Sequence, residues 1–315
     1  MSLILRPYKV FTSVLASNFC CLFPSKVSHL SKVLLTALFI SLLAMAMEAN
    51  AATYYSRQSG NWNSNTTWSL TSGGAAVGVG VFPIAGDIVI IERGFIVTVT
   101  ANAACASIQL GAIPATGGIS SGTLTFSGAF QVIVSGNVAV GGDGFAARTG
   151  TINFAGSSLL QAATLTFGSA GATPGSPNAI NMTSGGTLRV NSFTVNGAPT
   201  NNWTPGTGTV EMTATNTLPS IDMTSFNNLT INGGTTTLGV DVSIGGTLNV
   251  ASGVFALNTF NVTSVGAVNM TGTSITGTGT LTLAGDVTTN ASGTTASINA
   301  PLTLGVTSRT FAVPD

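Results

Sequence analysis

The sequence has 315 residues, of which nine are Lys or Arg, nine are Asp or Glu and one is His. Removal of the leader described below leaves no Lys and no His, and five Arg against eight acidic residues give a net charge near −3. That charge excludes electrostatic capture of nucleic acid or of an anionic membrane, which needs clustered basic residues. The missing His excludes Ser–His–Asp and Cys–His catalytic sites and His-bearing metal sites.

Residues 1–51 are predicted to be a signal peptide. Basic residues precede an apolar run of 15 residues from Val33 to Met47, and Ala49-Asn50-Ala51 has the small residues of a signal-peptidase site. The apolar run is shorter than the ~20 residues that a membrane-spanning helix needs. We therefore predict cleavage before Ala52, export, and no membrane attachment of the mature chain; a membrane anchor is the alternative.

Residues 52–110 stand out by their aromatic content, with Tyr54, Tyr55, Trp62 and Trp68 close together in sequence. Apolar runs after them predict strands at 88–91, 96–99 and 105–110. The first turn of a repetitive β structure would otherwise expose an open apolar core, so the aromatic cluster is predicted to close that end. A platform for sugar rings is the alternative. Cys105, the single Cys of the mature chain, is expected to be a small buried residue.

Five short motifs in this segment follow one another in a fixed order: Tyr54-Tyr55-Ser56, Gly60-Asn61-Trp62, Thr67-Trp68, Gly86-Asp87 and Ala104 to Ile108. Their order resembles the N-terminal module of large secreted surface proteins of the Bacteroidetes. It is also similar to the eight-glycine extracellular domain that caps β-helices in several secreted families. The resemblance implies a secreted β-helical protein of the adhesin kind. It also implies a C-terminal sorting domain of the type IX secretion route. The sequence to Asp315 contains none, so we expect a fragment or another export route.

From about Ser120 to Gly305 one short phrase returns: Gly-Thr-apolar, then a polar or small residue, then an apolar one. It begins at Gly122, Gly150, Gly186, Gly208, Gly246 and Gly279, with spacings of 22 to 38 residues. Alternation at period two with many Thr and Val residues predicts strands, and the intervening Gly and Asn predict turns. A repeat of constant kind and variable period is typical of a parallel β-solenoid whose coils differ in loop length.

Two Pro-containing stretches, 170–178 and 196–208, are predicted to be loops. Trp203 in the second is a candidate ligand contact, with packing against the solenoid wall as the alternative. Residues 141–144 resemble half of a calcium-binding Gly–Asp repeat, but one copy is more simply a turn. No metal and no other cofactor are predicted.

Catalysis on polysaccharides must be considered, because many β-helices are lyases or hydrolases. Hydrolysis needs two carboxylates about 5 to 9.5 Å apart. Asp222 and Asp241, separated by close to one coil of sequence, are the best pair that the repeat region offers. Solvated turn carboxylates are the simpler interpretation of both.

The sequence thus predicts an all-β fold: a right-handed parallel β-helix with an N-terminal aromatic cap module at 52–110 and repeats at 111–315 that are incomplete at their C-terminal end. Right-handedness follows from the strong chirality of parallel crossovers. The missing C-terminal closure predicts end-to-end self-association or fraying.

The predicted function is that of a secreted or cell-surface structural protein, adhesin-like and without a catalytic site, that binds an extracellular glycan or protein. Trp62, Trp68 and Trp203 are the candidate ligand contacts. A carbohydrate-active β-helix enzyme using Asp residues is the alternative. A third hypothesis, an ice- or crystal-binding face of Thr ladders, would need Thr at matched positions in every coil, and the variable spacing argues against it.

Overall fold

The computed structural model describes residues 51–111, 121–141, 148–168, 178–196 and 201–313. The predicted signal peptide, the 142–144 part of the Gly–Asp motif and nearly all of the predicted loop at 170–178 lie outside the described residues. From Ala51 onward the described residues form one compact unit.

The described chain is nearly all β, with a short 3-10 helix at Asn65–Thr67. The strands before residue 130 are β1 (Thr53–Ser56), β2 (Gly60–Asn61), β3 (Trp68–Ser69), β4 (Ile88–Ile91), β5 (Phe95–Val99), β6 (Ala103–Cys105), β7 (Ser107–Leu110) and β8 (Gly122–Phe126). Those from 131 to 217 are β9 (Gln131–Val134), β10 (Asn137–Val140), β11 (Gly150–Asn153), β12 (Gly156–Phe167), β13 (Ala179–Asn181), β14 (Gly185–Val195), β15 (Asn202–Thr204), β16 (Thr209–Met212) and β17 (Asn216–Thr217). The remaining strands are β18 (Ser225–Phe226), β19 (Asn228–Thr237), β20 (Val242–Ala256), β21 (Val262–Met270), β22 (Ser274–Thr276), β23 (Leu281–Leu283), β24 (Val287–Thr289), β25 (Ser297–Asn299), β26 (Leu302–Thr303) and β27 (Phe311–Ala312).

Parallel pairing arranges these strands in three stacks. The first stack is β1–β4–β7–β10–β12–β14 and then β17–β19–β20–β22–β25. The second is β2–β5–β8–β11–β13–β15 and then β18–β20–β21–β23–β26. The third is β6–β9–β12–β14–β16–β19–β20–β21–β24–β27.

The chain passes through the first, second and third stack in that order and then begins again, and long strands such as β20 cross several stacks. Strands that pair side by side but lie a full circuit apart in sequence are compatible with a parallel β-helix. Within the described segments, the pairing of β3 with β1 is the antiparallel exception.

Alternating side chains of each strand point into one core. In β20, Val242, Leu248 and Phe255 are buried, whereas Ser243 and Asn249 between them are half-exposed. Period-two alternation places the two sets on opposite faces of the strand. Each fully buried aliphatic or aromatic side chain contributes roughly 1.5 to 3 kcal/mol from its removal from water.

The core residues also lie above one another from layer to layer. In the third stack Leu229 pairs with Leu248, Leu248 with Val268 and Val268 with Val287. All four are at most 3% exposed. Each buried side chain therefore packs against its equivalents in the layers on both sides, which makes the core one continuous column.

The predicted strand at 88–91 is confirmed with the same bounds, and 96–99 falls within β5. The predicted strand at 105–110 is instead two strands, β6 and β7, because the chain turns between stacks at Ala106. Strands on either side of residue 110 pair with each other, β5 with β8 and β7 with β10.

Replacing a stacked core residue tests this register. Leu248→Ala removes a fully buried side chain between Leu229 and Val268, so we expect a loss of about 2 to 5 kcal/mol in the free energy of unfolding. Asn249→Ala, on the opposite face of the same strand, should change it by less than about 0.5 kcal/mol. Urea unfolding of both variants measures the difference. Equal losses would mean that β20 lies in another register.

Candidate functional site

Three aromatic side chains form a closed cluster at the N-terminal end of the stacks. Tyr54, Trp62 and Trp68 are each at most 2% exposed. The Trp62 and Trp68 rings meet edge to face at 5.5 Å, and Tyr54 meets Trp68 in the same way at 6.4 Å. Edge-to-face pairs are favourable beyond the area that they bury.

The polar atoms of the two indoles are satisfied inside the protein. Trp62 Nε1 donates to the Pro83 carbonyl at 3.2 Å, and Trp68 Nε1 donates to the Trp62 carbonyl at 2.6 Å. Next to them β1 pairs with β3 on one edge and with β4 on the other. The cluster therefore has the packing expected of a cap, and Trp68 has no exposed ring face in this conformation.

An open groove of about 320 Å³ lies beside this cluster. It is lined mainly by apolar groups, among them Trp62, Phe82 and Ile84, with Asn63 and Asn102 as its amide side chains. Asn63 Oδ1 accepts from Thr100 Oγ1, and Asn102 Oδ1 accepts from the backbone N–H of Gln131. An apolar floor with a few fixed amides can hold a small uncharged group such as a sugar ring.

Trp203 is in β15, within the segment 196–208 that the sequence analysis predicted to be a loop. Its indole packs against the core, meets Phe226 at 6.2 Å, and its Nε1 donates to the Ser225 carbonyl at 2.6 Å. The side chain of Trp203 therefore packs against the wall of the stacks, which was the alternative to a ligand contact in the sequence analysis.

The carboxylates considered for catalysis are bound to turns of the chain. Asp222 Oδ2 accepts from Asn201 Nδ2 at 2.7 Å, and Asp241 Oδ1 accepts from the backbone N–H of Asn261 at 2.7 Å. Asp286 Oδ1 accepts in the same way from the backbone N–H of Thr310. Each of these bonds joins one layer to the next.

Glu211 is also structural in its contacts. Its Oε2 lies 2.8 Å from Arg189 Nε, and its Oε1 accepts from Asn232 Nδ2 at 2.7 Å. Arg189 Nη1 in turn donates to Gln161 Oε1. These side chains form a polar ladder across the outer face of the third stack, from β12 to β19.

Two buried acids near the cap were not predicted from the sequence to be site residues, although Asp87 belongs to the Gly86-Asp87 motif. Asp87 is 6% exposed, and its two carboxylate oxygens accept from the backbone N–H groups of Ala52 and Ile84. The pKa of the nearby Cys105 thiol is raised to about 12, mainly by burial and to a lesser extent by the charge of Asp87. Cys105 is buried, as predicted. The sequence signal for Asp87 is an acid directly before an apolar strand, which is too common to identify a site.

Glu92 is fully buried at the end of β4. Ser72 Oγ donates to its Oε1 at 2.5 Å and Arg93 Nε lies 3.4 Å away, whereas its Oε2 accepts no hydrogen bond. Burial raises the pKa of this carboxyl group, and the Ser72 hydrogen bond and the Arg93 charge oppose the rise. The ionised form is therefore poorly compensated.

The described ranges contain no group of three or more His, Cys, Asp or Glu residues that could hold a metal ion. No helix among the residues that the structure describes is long and apolar enough to cross a membrane. Comparison with protein-family models, with curated proteins and with solved structures gives no match to this chain. The resemblance to Bacteroidetes surface proteins and to the eight-glycine domain stays a prediction.

Glu92→Gln tests the buried carboxyl group. Because its pKa is raised in the folded state, its favourable contribution is complete below the ordinary carboxyl pKa and is lost as the pH rises through the raised value. We expect the Gln variant to unfold at a higher urea concentration than the wild type at pH 8, and the two midpoints to converge near pH 4.

Glu211→Gln is the matched control for this measurement, because it removes the ion pair with Arg189. It should not raise the midpoint at pH 8. A Glu92→Gln variant that is less stable than the wild type at pH 8 would mean that the ionised carboxylate is well satisfied.

Proposed function

We propose that the three stacks form a right-handed parallel β-helix whose N-terminal end is closed by the cluster of Tyr54, Trp62 and Trp68. The fixed order in which the chain passes through the stacks supports the helical path. The strong preference of parallel crossovers for the right hand supports its chirality. The pairings of β5 with β8 and of β7 with β10 support a cap that is continuous with the repeats.

The function that we propose is that of a secreted or cell-surface structural protein, adhesin-like and without a catalytic site, of the kind found among Bacteroidetes surface proteins. The observation that carries it is the use of the acids: Asp222, Asp241 and Asp286 bind the turns of neighbouring layers. A carboxylate that holds main-chain or amide N–H groups is fixed in a structural role, whereas a hydrolase needs two that face a shared substrate.

A glycan or protein ligand is proposed for the groove beside Trp62. Of the three predicted contacts, Trp62 borders this groove with 2% of its surface exposed, Trp68 packs against Trp62, and Trp203 packs against the core. Five Arg against eight acids after the leader disfavour nucleic acid and anionic membrane as partners.

Export predicts a defined mature N-terminus. Cleavage before Ala52 follows from the Ala49-Asn50-Ala51 motif, so secreted or surface-released protein should begin Ala52-Thr53-Tyr54-Tyr55. N-terminal sequencing and antibody labelling of intact cells measure this. Protein that retains residues 1–51 and stays inside the cell would contradict the proposed location.

Asp222→Asn and Asp241→Asn test whether the protein is non-enzymatic, because these two acids are the best catalytic pair that the sequence offers. Both should leave ligand binding unchanged. Loss of a glycan-cleaving activity in either variant would establish the enzyme instead.

End-to-end self-association is proposed through the C-terminal layer. In the described part of the chain β25, β26 and β27 each pair on one side alone. Leu302, Leu304 and Phe311 in or beside these strands are 36–47% exposed. Unpaired strand edges next to exposed apolar side chains recruit other chains.

Residues 52–315, prepared alone, should therefore associate as concentration rises, with amide protection falling from β20 towards β27. Light scattering and hydrogen exchange measure these two effects. Phe311→Lys, which places a charge at the exposed edge, should reduce the association. A monodisperse monomer with uniform protection through Leu304 would contradict it.

A further inference from the structure

We propose that Asp87 is a preformed acceptor for the α-ammonium group that cleavage before Ala52 releases, so that maturation adds an ion pair to the N-terminal cap. The proposal rests on the proposed export, and it assigns a structural consequence to the cleavage position.

The geometry is already present in the uncleaved chain. The donor to Asp87 Oδ1 is the peptide N–H of Ala52, at 3.0 Å, and Ala51 just before it is exposed. Asp87 Oδ2 is held by the backbone N–H of Ile84 at 2.9 Å, and Ile88 N donates to the Ala52 carbonyl at 2.8 Å. These bonds hold the Ala52 nitrogen against the carboxylate at the position just N-terminal to the pairing of β1 with β4.

Hydrolysis of the Ala51–Ala52 peptide bond consumes one water molecule. The C–N bond breaks, Ala51 leaves with a carboxylate, and the Ala52 nitrogen becomes –NH₃⁺ at neutral pH. The nitrogen stays where it is, but it now carries a full positive charge next to Asp87. The hydrogen bond from a neutral peptide N–H to the carboxylate thereby becomes an ion pair, and each opposite charge favours the ionised form of the other group.

Asp87 differs from the other acids that bind a neighbouring layer. Asp241 and Asp286 also lie directly before a strand and accept the N–H of the residue before the paired strand, but both are exposed. Water can compensate their charge, whereas the 6% exposed carboxylate of Asp87 depends on protein groups. The negative charge of Asp87 contributes to the raised pKa of the nearby Cys105 thiol, which stays neutral and so offers Asp87 no compensating charge.

The mature chain offers a selective probe, because residues 52–315 contain no Lys. The α-amino group is then the one primary amine, and its rate of acylation against pH gives its pKa directly. Pairing with Asp87 should raise that pKa by about one unit or more above the ordinary value of about 7.7 to 8.0. At pH 7.5 the folded chain should therefore react at least about sixfold more slowly than the urea-unfolded chain, because its fraction of free amine is smaller.

Two N-termini are compared in the wild type and in Asp variants, so that the effect of the ion pair on stability can be distinguished from a general effect on folding. The chain that begins at Ala52, released from a fusion without extra residues, is compared with one that begins at Ala51, which keeps the N–H but moves the charge outward. The Ala52 chain should unfold at higher urea concentration at pH 6. This advantage should be lost as the pH rises through the raised pKa of the amine, since the charged form is the one stabilised in the folded state.

Asp87→Asn should abolish the difference between the two chains, and Asp241→Asn, in the same kind of turn, should keep it. Equal unfolding midpoints of the Ala52 and Ala51 chains at pH 6, or an amine pKa in the ordinary range, would overturn the proposal. If Asp87→Asn fails to fold, the acylation rates of the wild type decide by themselves. Sequencing of exported protein tests the cleavage position separately.

Discussion

The structure depends on parallel hydrogen bonding between layers that keep their register. A side chain that is inside in one layer must be inside in the next, because a slip by one residue would move a whole strand's apolar set to the outer face. The third stack shows the result, with Leu229, Leu248, Val268 and Val287 at equivalent positions. Successive layers there are 19 or 20 residues apart, whereas Leu160 and Leu188 earlier in the stack are 28 apart. The paired strand segments keep their register despite this difference in spacing.

Register also places polar side chains of successive layers within hydrogen-bonding distance of one another. Before successive strands of the second stack, Asn178 accepts from Gly150 N and donates to Asn201, which donates to Asp222. Further along, Asp241 accepts from Asn261, and Asn261 accepts from the N–H of Thr280. Turns leave backbone groups that the strand ladders cannot satisfy, and a buried group without a partner costs about 1 to 3 kcal/mol. A ladder of amides and carboxylates at one corner satisfies them layer after layer.

Strands, core alternation and the aromatic cluster could be predicted from the sequence because each is a local pattern. The assignment of strands to stacks could not. The recurring phrase opens strands of the second stack at Gly122 and Gly150 but leads into the third at Gly208 and Gly246, so its spacing mixes two series. Positions are matched between layers despite the variable spacing, since Thr125, Asn153 and Asn181 lie in register on the second stack, but these matched residues are not all Thr. The buried positions of Asp87 and Glu92 could not be predicted, because burial is a tertiary property.

The first and the last described layers differ in how their strand edges are covered. At the N-terminal end β1 has partners on both edges, and the indole N–H groups of Trp62 and Trp68 are satisfied from within. This closure is held by the Asp87 carboxylate, which binds both Ala52 and Ile84 and so ties β1 to the segment that leads into β4. At the other end Arg309 donates to the Leu283 and Leu304 carbonyls, while Leu302 and Phe311 stay exposed. Charge thus closes the first layer through Asp87, whereas Asp222, Asp241 and the Arg189–Glu211 pair use charge to join layers within the stacks.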